Sequence, residues 1–261
     1  MLDIIRPDRL PERMENPVEV YLASTAPGQR AAAEWRISCY TAGHSLADVV
    51  EQDWFPLAGK DVLDLAAGWG GHILAFAQRG TRAVAAELND HKFGELARFA
   101  AGHQLDLRAV IANCEALPFE PASFDVVLGL ELIEHIDSVP AFARDVARVL
   151  KPGGIAILST PARFKSFFNG EPHFHLRYLT ILPFRLQGIV AKRLFKRGYP
   201  FPITRQYLFG SSALRPFRDA GLEGAIVWTG RLAERFGDAP VMGRLGRELL
   251  FSFLIVKRPV T

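Results

Sequence analysis

Apolar residues along the chain fall into short blocks whose spacing switches between two periods. Residues 60–66 (KDVLDLA) form a compact β-type run, and residues 70–80 (GGHILAFAQRG) carry apolar positions at helical spacing up to Gly80. The alternation then repeats. Residues 81–88 (TRAVAAEL) predict a strand, 91–103 (HKFGELARFAAGH) a helix and 105–112 (LDLRAVIA) a strand. A loop over 113–123 leads to a strand at 124–130 (FDVVLGL), a helix at 139–154 with a Lys-Pro-Gly-Gly stop, and a fifth strand at 155–161 (IAILSTP). Near the C-terminus, 211–221 predicts a helix, while 222–228 (LEGAIVW) and 248–257 (ELLFSFLIVK) predict two closing strands. Upstream, Trp35, Ile37, Tyr40, Leu46, Val49 and Val50 give a helical pattern over 29–52, with Gly43 arguing against one unbroken helix. Residues 1–30 are rich in proline and polar groups and read as an arm.

Strands alternating with helices at this spacing require a parallel sheet covered on both faces. Right-handed crossovers narrow the topology to a doubly wound, Rossmann-like α/β fold. The expected sheet has seven strands, five parallel plus a closing hairpin-like pair. Four segments follow: an N-terminal arm and helical cap (1–52), a core (53–161), an insert after the fifth strand (162–208), and a C-terminal helix with the closing strands (209–261).

With 261 residues, 49% of them hydrophobic, the chain needs no covalent staple to bury a core. Its two cysteines, Cys39 and Cys114, make no metal-ligand spacing and fit a reducing, cytoplasmic setting. The N-terminal residues lack the apolar core of a signal peptide, and no run reaches the ~18 residues of a spanning helix. The net charge of +3 is too small to imply nucleic acid, but its distribution is uneven. Nine basic residues between Arg163 and Arg205 face one acid, Glu171. The insert is therefore a basic, aromatic-rich segment on a core of opposite charge.

The turn after the first strand, Asp64-Leu65-Ala66-Ala67-Gly68-Trp69-Gly70-Gly71, almost loses its side chains. Ligands in doubly wound sheets bind at the carboxyl ends of the strands, where this turn lies. Backbone N–H groups there can meet a negative group. A dinucleotide fingerprint is excluded, because Ile73 takes the place of its last glycine, and a Walker loop is excluded because Gly-Lys-Ser/Thr is missing. The glycines alone would equally suit a tight turn with no ligand. Three features favour a nucleoside. Glu87 ends the second strand, where a carboxylate can accept from both ribose hydroxyls. Asn113-Cys114-Glu115-Ala116-Leu117 offers an amide to an adenine edge and an apolar bed, Leu117, to its face. The strand at 124–130 opens beside the first.

In this order and spacing, VLDLAAGWGG, VAAELND, ANCEALPFEPASFDVVLGLELIEHI and VLKPGGIAILSTP resemble the class I S-adenosylmethionine-dependent methyltransferases, in particular their small-molecule, ubiquinone-biosynthesis-like branch. The resemblance covers roughly residues 60–160. It implies S-adenosylmethionine as cofactor. Asp64, Ala66, Ala67, Gly68 and Gly70 would hold the methionine end, Glu87 the ribose, and Leu88, Asn113, Cys114 and Glu115 the adenine side. Leu130 and Glu131 would line the crevice beside the sulfonium. Ala66 stands where the family usually has its first glycine, and Asn113 where it often has Asp.

Candidate catalytic groups cluster in Glu131-Leu132-Ile133-Glu134-His135. On a helical turn, positions i, i+3 and i+4 would share a face and bring two carboxylates and an imidazole together. That order resembles the metal-binding turn of branches that methylate quinone precursors or the terminal ribose of small RNAs, although similar turns also occur without metal. The reading adopted is no resident metal, a divalent ion being the less favoured alternative. His173 and His175, in the insert, are further candidate bases, since an imidazole titrates near ~6.5. Tyr40, His44 and His72 read as packing residues.

The expected activity is O-methylation of a small hydroxylated or anionic metabolite, with the insert as a substrate lid. A peripheral membrane contact or lipid-like acceptor is an alternative, which Pro183 and Gly188 weaken by interrupting an amphipathic helix. The modest basic count and lack of an RNA module weigh against nucleic acid. Two further alternatives are a metal-assisted RNA 2′-O-methyltransferase and a binding protein without turnover.

Overall fold

A computed structural model of the protein describes residues 30–88, 93–102, 104–170, 173–198, 203–227, 229 and 240–260. Residues 1–29 of the expected arm, and Trp228 of the expected sixth strand, lie outside them. In chain order the elements are α1 (Arg30–Asp53), β1 (Asp61–Leu65), α2 (Gly71–Ala77), β2 (Arg82–Glu87), α3 (Phe93–Gly102), β3 (Leu107–Ile111), β4 (Phe124–Gly129), α4 (Val139–Val149), β5 (Leu150–Leu158), α5 (Arg163–Asn169), α6 (Phe184–Phe195), α7 (Gly210–Asp219), β6 (Glu223–Val227), α8 (Pro240–Leu249) and β7 (Phe253–Lys257). Short 3₁₀ turns occupy Ile133–His135 and Leu179–Ile181.

The strands form a seven-stranded mixed sheet in the order β3-β2-β1-β4-β5-β7-β6, the doubly wound arrangement that the alternating periods predict. The closing strands are antiparallel, but they are not a hairpin. β7 pairs with both β5 and β6, and α8 separates β6 from β7 in sequence. Residues 248 and 249, expected in the last strand, belong to α8.

By contacts the chain divides into two compact units, Met1–Leu128 and Gly129–Thr261. In the first, β1 runs parallel to β2 and to β4, with Asp64 opposite Ala85 on one side and Leu128 on the other. Val62, Leu63, Ile73, Leu74 and Phe76 are wholly buried there. Contrary to expectation, Gly43 does not interrupt α1. A Cβ on Gly43 would come within 2.8 Å of the His72 Cα and 2.9 Å of the Ala75 Cβ, and one on Gly71 within 2.8 Å of the Cys39 Cβ. The two glycines let α1 and α2 approach backbone to backbone. Tyr40 reinforces that contact by donating its hydroxyl to Gln78 Oε1 at 2.6 Å. His72 is held neutral by burial, its pKa lowered to about 4.

In the second unit, Phe142 of α4 meets Phe217 of α7 edge to face, ring centroids 6.0 Å apart, within a core that includes Ile155, Leu158, Leu254 and Val256. The Lys-Pro-Gly-Gly stretch is not a loop that stops the helix. Leu150 turns directly to extended backbone, and residues 151–154 are part of β5. The last carbonyls of α4 are capped from elsewhere in the chain, as the Arg258 guanidinium donates to Ala147, Arg148 and Leu150 O at 3.2, 3.3 and 2.6 Å. In the insert, α5 was not anticipated, and Gly188 lies inside α6 without breaking it.

Gly43→Ala would gain about 1 kcal/mol of helix propensity, yet its methyl would strike backbone atoms, an overpacking that costs roughly 1–3 kcal/mol. A net loss of stability in urea titration is expected. Gly198→Ala, where a Cβ meets nothing within 4 Å, should change stability by less than ~0.5 kcal/mol.

Candidate active site

The turn between β1 and α2 is built from left-handed backbone. Ala66, Gly68 and Gly70 have φ of 54°, 56° and 76°. Their roles differ. A Cβ on Gly70 would run into the Leu96 side chain, and Gly71 is needed by α1, so both answer to packing inside the protein. Gly68 does not, because a Cβ there would meet only the Ala66 carbonyl at 3.9 Å. The surface over Ala66 and Gly68 is the part of the turn that faces open space. Ala66 accepts a conformation costing an L-residue roughly 1–2 kcal/mol, which is where the family pattern places glycine.

Glu87 locks the turn. One of its carboxylate oxygens accepts from the Gly68 N–H at 3.0 Å, the other from the Leu88 N–H at 2.9 Å. Asp64, just below, is 2% exposed and accepts from the Ile73 backbone N–H, but its Oδ2 meets no hydrogen-bond partner among the described residues. Burial, then the nearby charge of Glu87, push its carboxyl up to about 8. A buried acid with one oxygen unsatisfied, beneath an exposed bare turn, is suited to a cationic ligand.

At the ends of β2 and β3, Leu88 is 62% and Ile111 42% exposed. They give an apolar shelf, whereas Leu117, the residue expected to provide it, is buried. Asn113 is exposed, and its Oδ1 accepts from the Glu115 N–H at 2.9 Å, fixing the loop in an Asx turn. Cys114 is buried, its thiol pushed up to about 12 mainly by burial, so it is inert there. Ala67 is buried, its N–H donating to Ala86 O at 3.1 Å. Arg36 of α1, which the sequence reading passed over, is 7% exposed and stacks over Trp69 of the turn at 3.6 Å. The available signal was an arginine within the apolar helical stretch Ala33-Glu34-Trp35-Arg36-Ile37.

Glu131, in the second unit beside Leu130, sits at φ 50° and so cannot continue a helical turn. The expected i, i+3, i+4 face therefore does not form. Glu131 is instead clamped by Ser159: its N–H donates to the serine Oγ at 2.8 Å, and that hydroxyl donates to Glu131 Oε1 at 2.7 Å. Burial, followed by the charge of Glu134, raises the Glu131 carboxyl to about 7. His173 and Lys165 pull it the other way.

Glu134, His135 and His173 come together without Glu131. The two imidazole Nε2 atoms lie 3.8 and 3.6 Å from Glu134 Oε1, and one donor atom from each of the three residues falls within 4.8 Å of the others. Glu134 is 1% exposed, with neither carboxylate oxygen hydrogen-bonded among the described residues. One carboxylate and two imidazoles fit a divalent transition ion. His175 is exposed and outside the group. The end of the insert braces this turn, since Thr204 donates through N and Oγ1 to Glu134 O at 2.7 and 2.9 Å, and Arg205 donates to Ile136 and Asp137 O, both at 2.7 Å.

A bare, acid-braced turn on a seven-stranded sheet of this order is the arrangement of the class I S-adenosylmethionine-dependent methyltransferase fold. Residues 63–158 match the family described as Methyltransferase domain. A ubiquinone biosynthesis O-methyltransferase of Idiomarina loihiensis is 37% identical over 117 residues, which span 44% of this chain and 48% of that one. Its namesake from Pseudomonas paraeruginosa is 36% identical over 170 residues, 64% of this chain and 66% of its own. Across the curated relatives it matches first, the chain spans about half their length: 48%, 52% and 42%. The fold also superposes on an S-adenosylmethionine-dependent methyltransferase from Mesorhizobium loti, with a TM-score of 0.55 at 17% identity, covering 81% of this chain and 96% of that one.

The raised acids make stability depend on pH. A carboxyl whose folded pKa lies above its unfolded value contributes stability that is full below the unfolded value and is lost as pH rises through the folded one. For Asp64 that window runs from 3.8 to about 8. Asp64→Asn should gain stability relative to wild type, by several kcal/mol at most, between pH 5 and pH 8.5 in urea titrations of ligand-free protein. An unchanged difference at the two pH values would contradict the placement of this acid.

Proposed function

We propose that the protein transfers the methyl group of S-adenosylmethionine to a hydroxyl oxygen of a small hydroxylated or anionic metabolite. Asp64 would hold the donor's ammonium, Glu87 its ribose, and the Leu88–Ile111 shelf its adenine. Arg36, stacked over Trp69 of the turn, would meet the donor's carboxylate. When bound, the donor supplies a methyl group on a sulfonium, already a strong electrophile, so the protein's task is positioning and the removal of one proton.

The observation that carries the oxygen acceptor is Glu131. Its carboxyl is held in one orientation by Ser159 and raised to about 7, the range in which a general base both exists ionised and binds a proton usefully at neutral pH. The hydroxyl proton passes to this carboxylate. The name shared by the relatives, which specifies an O-methyltransferase, supports the same acceptor atom.

Glu131→Gln keeps an acceptor for the Ser159 hydroxyl and removes the base. Formation of S-adenosylhomocysteine from a metabolite extract, followed by mass spectrometry, should fall about 10²–10⁴-fold, with donor affinity by calorimetry unchanged. In the wild type kcat/KM should rise with pH up to about 7 and then level, as Glu131 ionises. Full activity in Glu131→Gln would rule this base out.

A second component rests on Glu134, a buried carboxylate with two imidazoles at 3.6 and 3.8 Å and no hydrogen bond to either oxygen among the described residues. Glu134, His135 and His173 would hold a divalent ion, which would supply a positive charge that lowers the pKa of a bound hydroxyl. Manganese should raise the melting temperature of the wild type by several degrees and leave that of Glu134→Gln where it is. Equal responses would remove the ion from the reading.

A further inference from the structure

The second unit contains a cavity of about 180 Å³ whose lining includes Glu131, Thr160, Lys165, Phe251 and Ser252. Three features of its wall point to a ligand of particular charge. Lys165 is the only cationic side chain among the described lining residues. It is half-buried, and its ammonium donates to Ser252 Oγ at 3.3 Å, a long bond that leaves donor capacity unused. Ser252 is itself engaged by the Thr229 hydroxyl at 3.0 Å, so it is a fixed neighbour rather than a counter-ion. Thr160 is 2% exposed, and its Oγ1 has no hydrogen-bond partner among the described residues. A buried hydroxyl left unpaired costs roughly 1–3 kcal/mol, and it lines the same space. On the remaining side stands Glu131, whose charge interacts with that of Lys165.

We propose that this cavity takes a small hydroxylated carboxylic acid, with the carboxylate bound by the Lys165 ammonium and the Thr160 hydroxyl and the hydroxyl presented to Glu131. The assignment deepens the methyltransferase reading and rests on it. One ammonium balances one negative charge. A phosphate dianion would bring a second charge against the same single cation with the Glu131 carboxylate nearby, so a carboxylate fits better. The volume sets the scale: a dry cavity of about 150 Å³ accommodates benzene, so a one-ring acid suits this one. Phe251 supplies an apolar wall for such a ring.

The probes are 2-, 3- and 4-hydroxybenzoate, the matching hydroxybenzamides and 4-hydroxyphenyl phosphate, titrated calorimetrically into full-length protein saturated with S-adenosylhomocysteine. At least one hydroxybenzoate should bind at least tenfold more tightly than its amide. Lys165→Met should erase that preference without changing S-adenosylhomocysteine affinity, and Lys165→Arg, which keeps the charge and guards against a folding failure of the first variant, should retain most of it. Thr160→Val should weaken the acid several-fold and the amide less. Amides binding as tightly as acids, a preference that survives Lys165→Met, or tighter binding of the phosphate would overturn the assignment. Intact S-adenosylhomocysteine binding with no acid bound would overturn it while leaving the methyltransferase reading in place. Failure of S-adenosylhomocysteine itself to bind would remove that reading, and this assignment with it.

Discussion

A carboxylate buried in a strand end, with one oxygen left unsatisfied, is the constraint from which the first half of the molecule can be understood. Asp64 lies between β2 and β4, where parallel pairing fixes the backbone and removes water. Placing an acid there is costly unless a cation arrives to meet it. Everything around it keeps that option open. Glu87 spends its two oxygens on the Gly68 and Leu88 N–H groups and so pins the turn above. Left-handed backbone at Ala66 and Gly68 keeps side chains off the surface, while Gly70 and Gly71 serve the close approach of neighbouring helices.

A parallel arrangement recurs in the second unit with a different purpose. Glu131 is also an acid with a raised pKa, but one of its oxygens is engaged by Ser159 and the pKa settles near neutrality rather than above it. The contrast follows from surroundings alone. Asp64 feels the charge of Glu87, which raises it further, whereas Glu131 feels Glu134 in one direction and His173 and Lys165 in the other. One carboxyl is pushed up by burial and a neighbouring like charge, the other is drawn between charges of both signs. Thr204 and Arg205, at the end of the basic insert, hold the carbonyls of the turn that carries Glu134, so part of the insert's basic character is structural.

Much of this was legible in the sequence because the core obeys short-range rules. Buried strands and amphipathic helices alternate, and the strand positions from β1 to β5 follow from that pattern. Boundaries failed where a distant partner decided them. Gly43 looked like a helix interruption until the backbone of α2 was seen to need its missing side chain. Lys151-Pro152-Gly153-Gly154 looked like a helix stop, yet Arg258, more than a hundred residues later, caps the helix and lets the strand begin at once. The Glu131-to-His135 run was read as a helical face. A left-handed Glu131 divides it, sending Glu131 to Ser159 and Glu134 to His135 and His173. The placement of Arg36 and Lys165 was invisible because nothing local distinguishes a basic residue that packs over a turn or lines a cavity from one on a solvated face.

The most direct test of the central constraint is proton release on donor binding. S-adenosylmethionine titrated calorimetrically at pH 6.5, in buffers of low and high ionisation enthalpy, separates bound heat from protons exchanged. Asp64, raised to about 8, is protonated in the free protein at that pH and must ionise to face an ammonium. Release of about one proton per donor bound, absent in Asp64→Asn, is the expected result. Tight binding with no proton released would show that the buried acid does not hold the donor's cation.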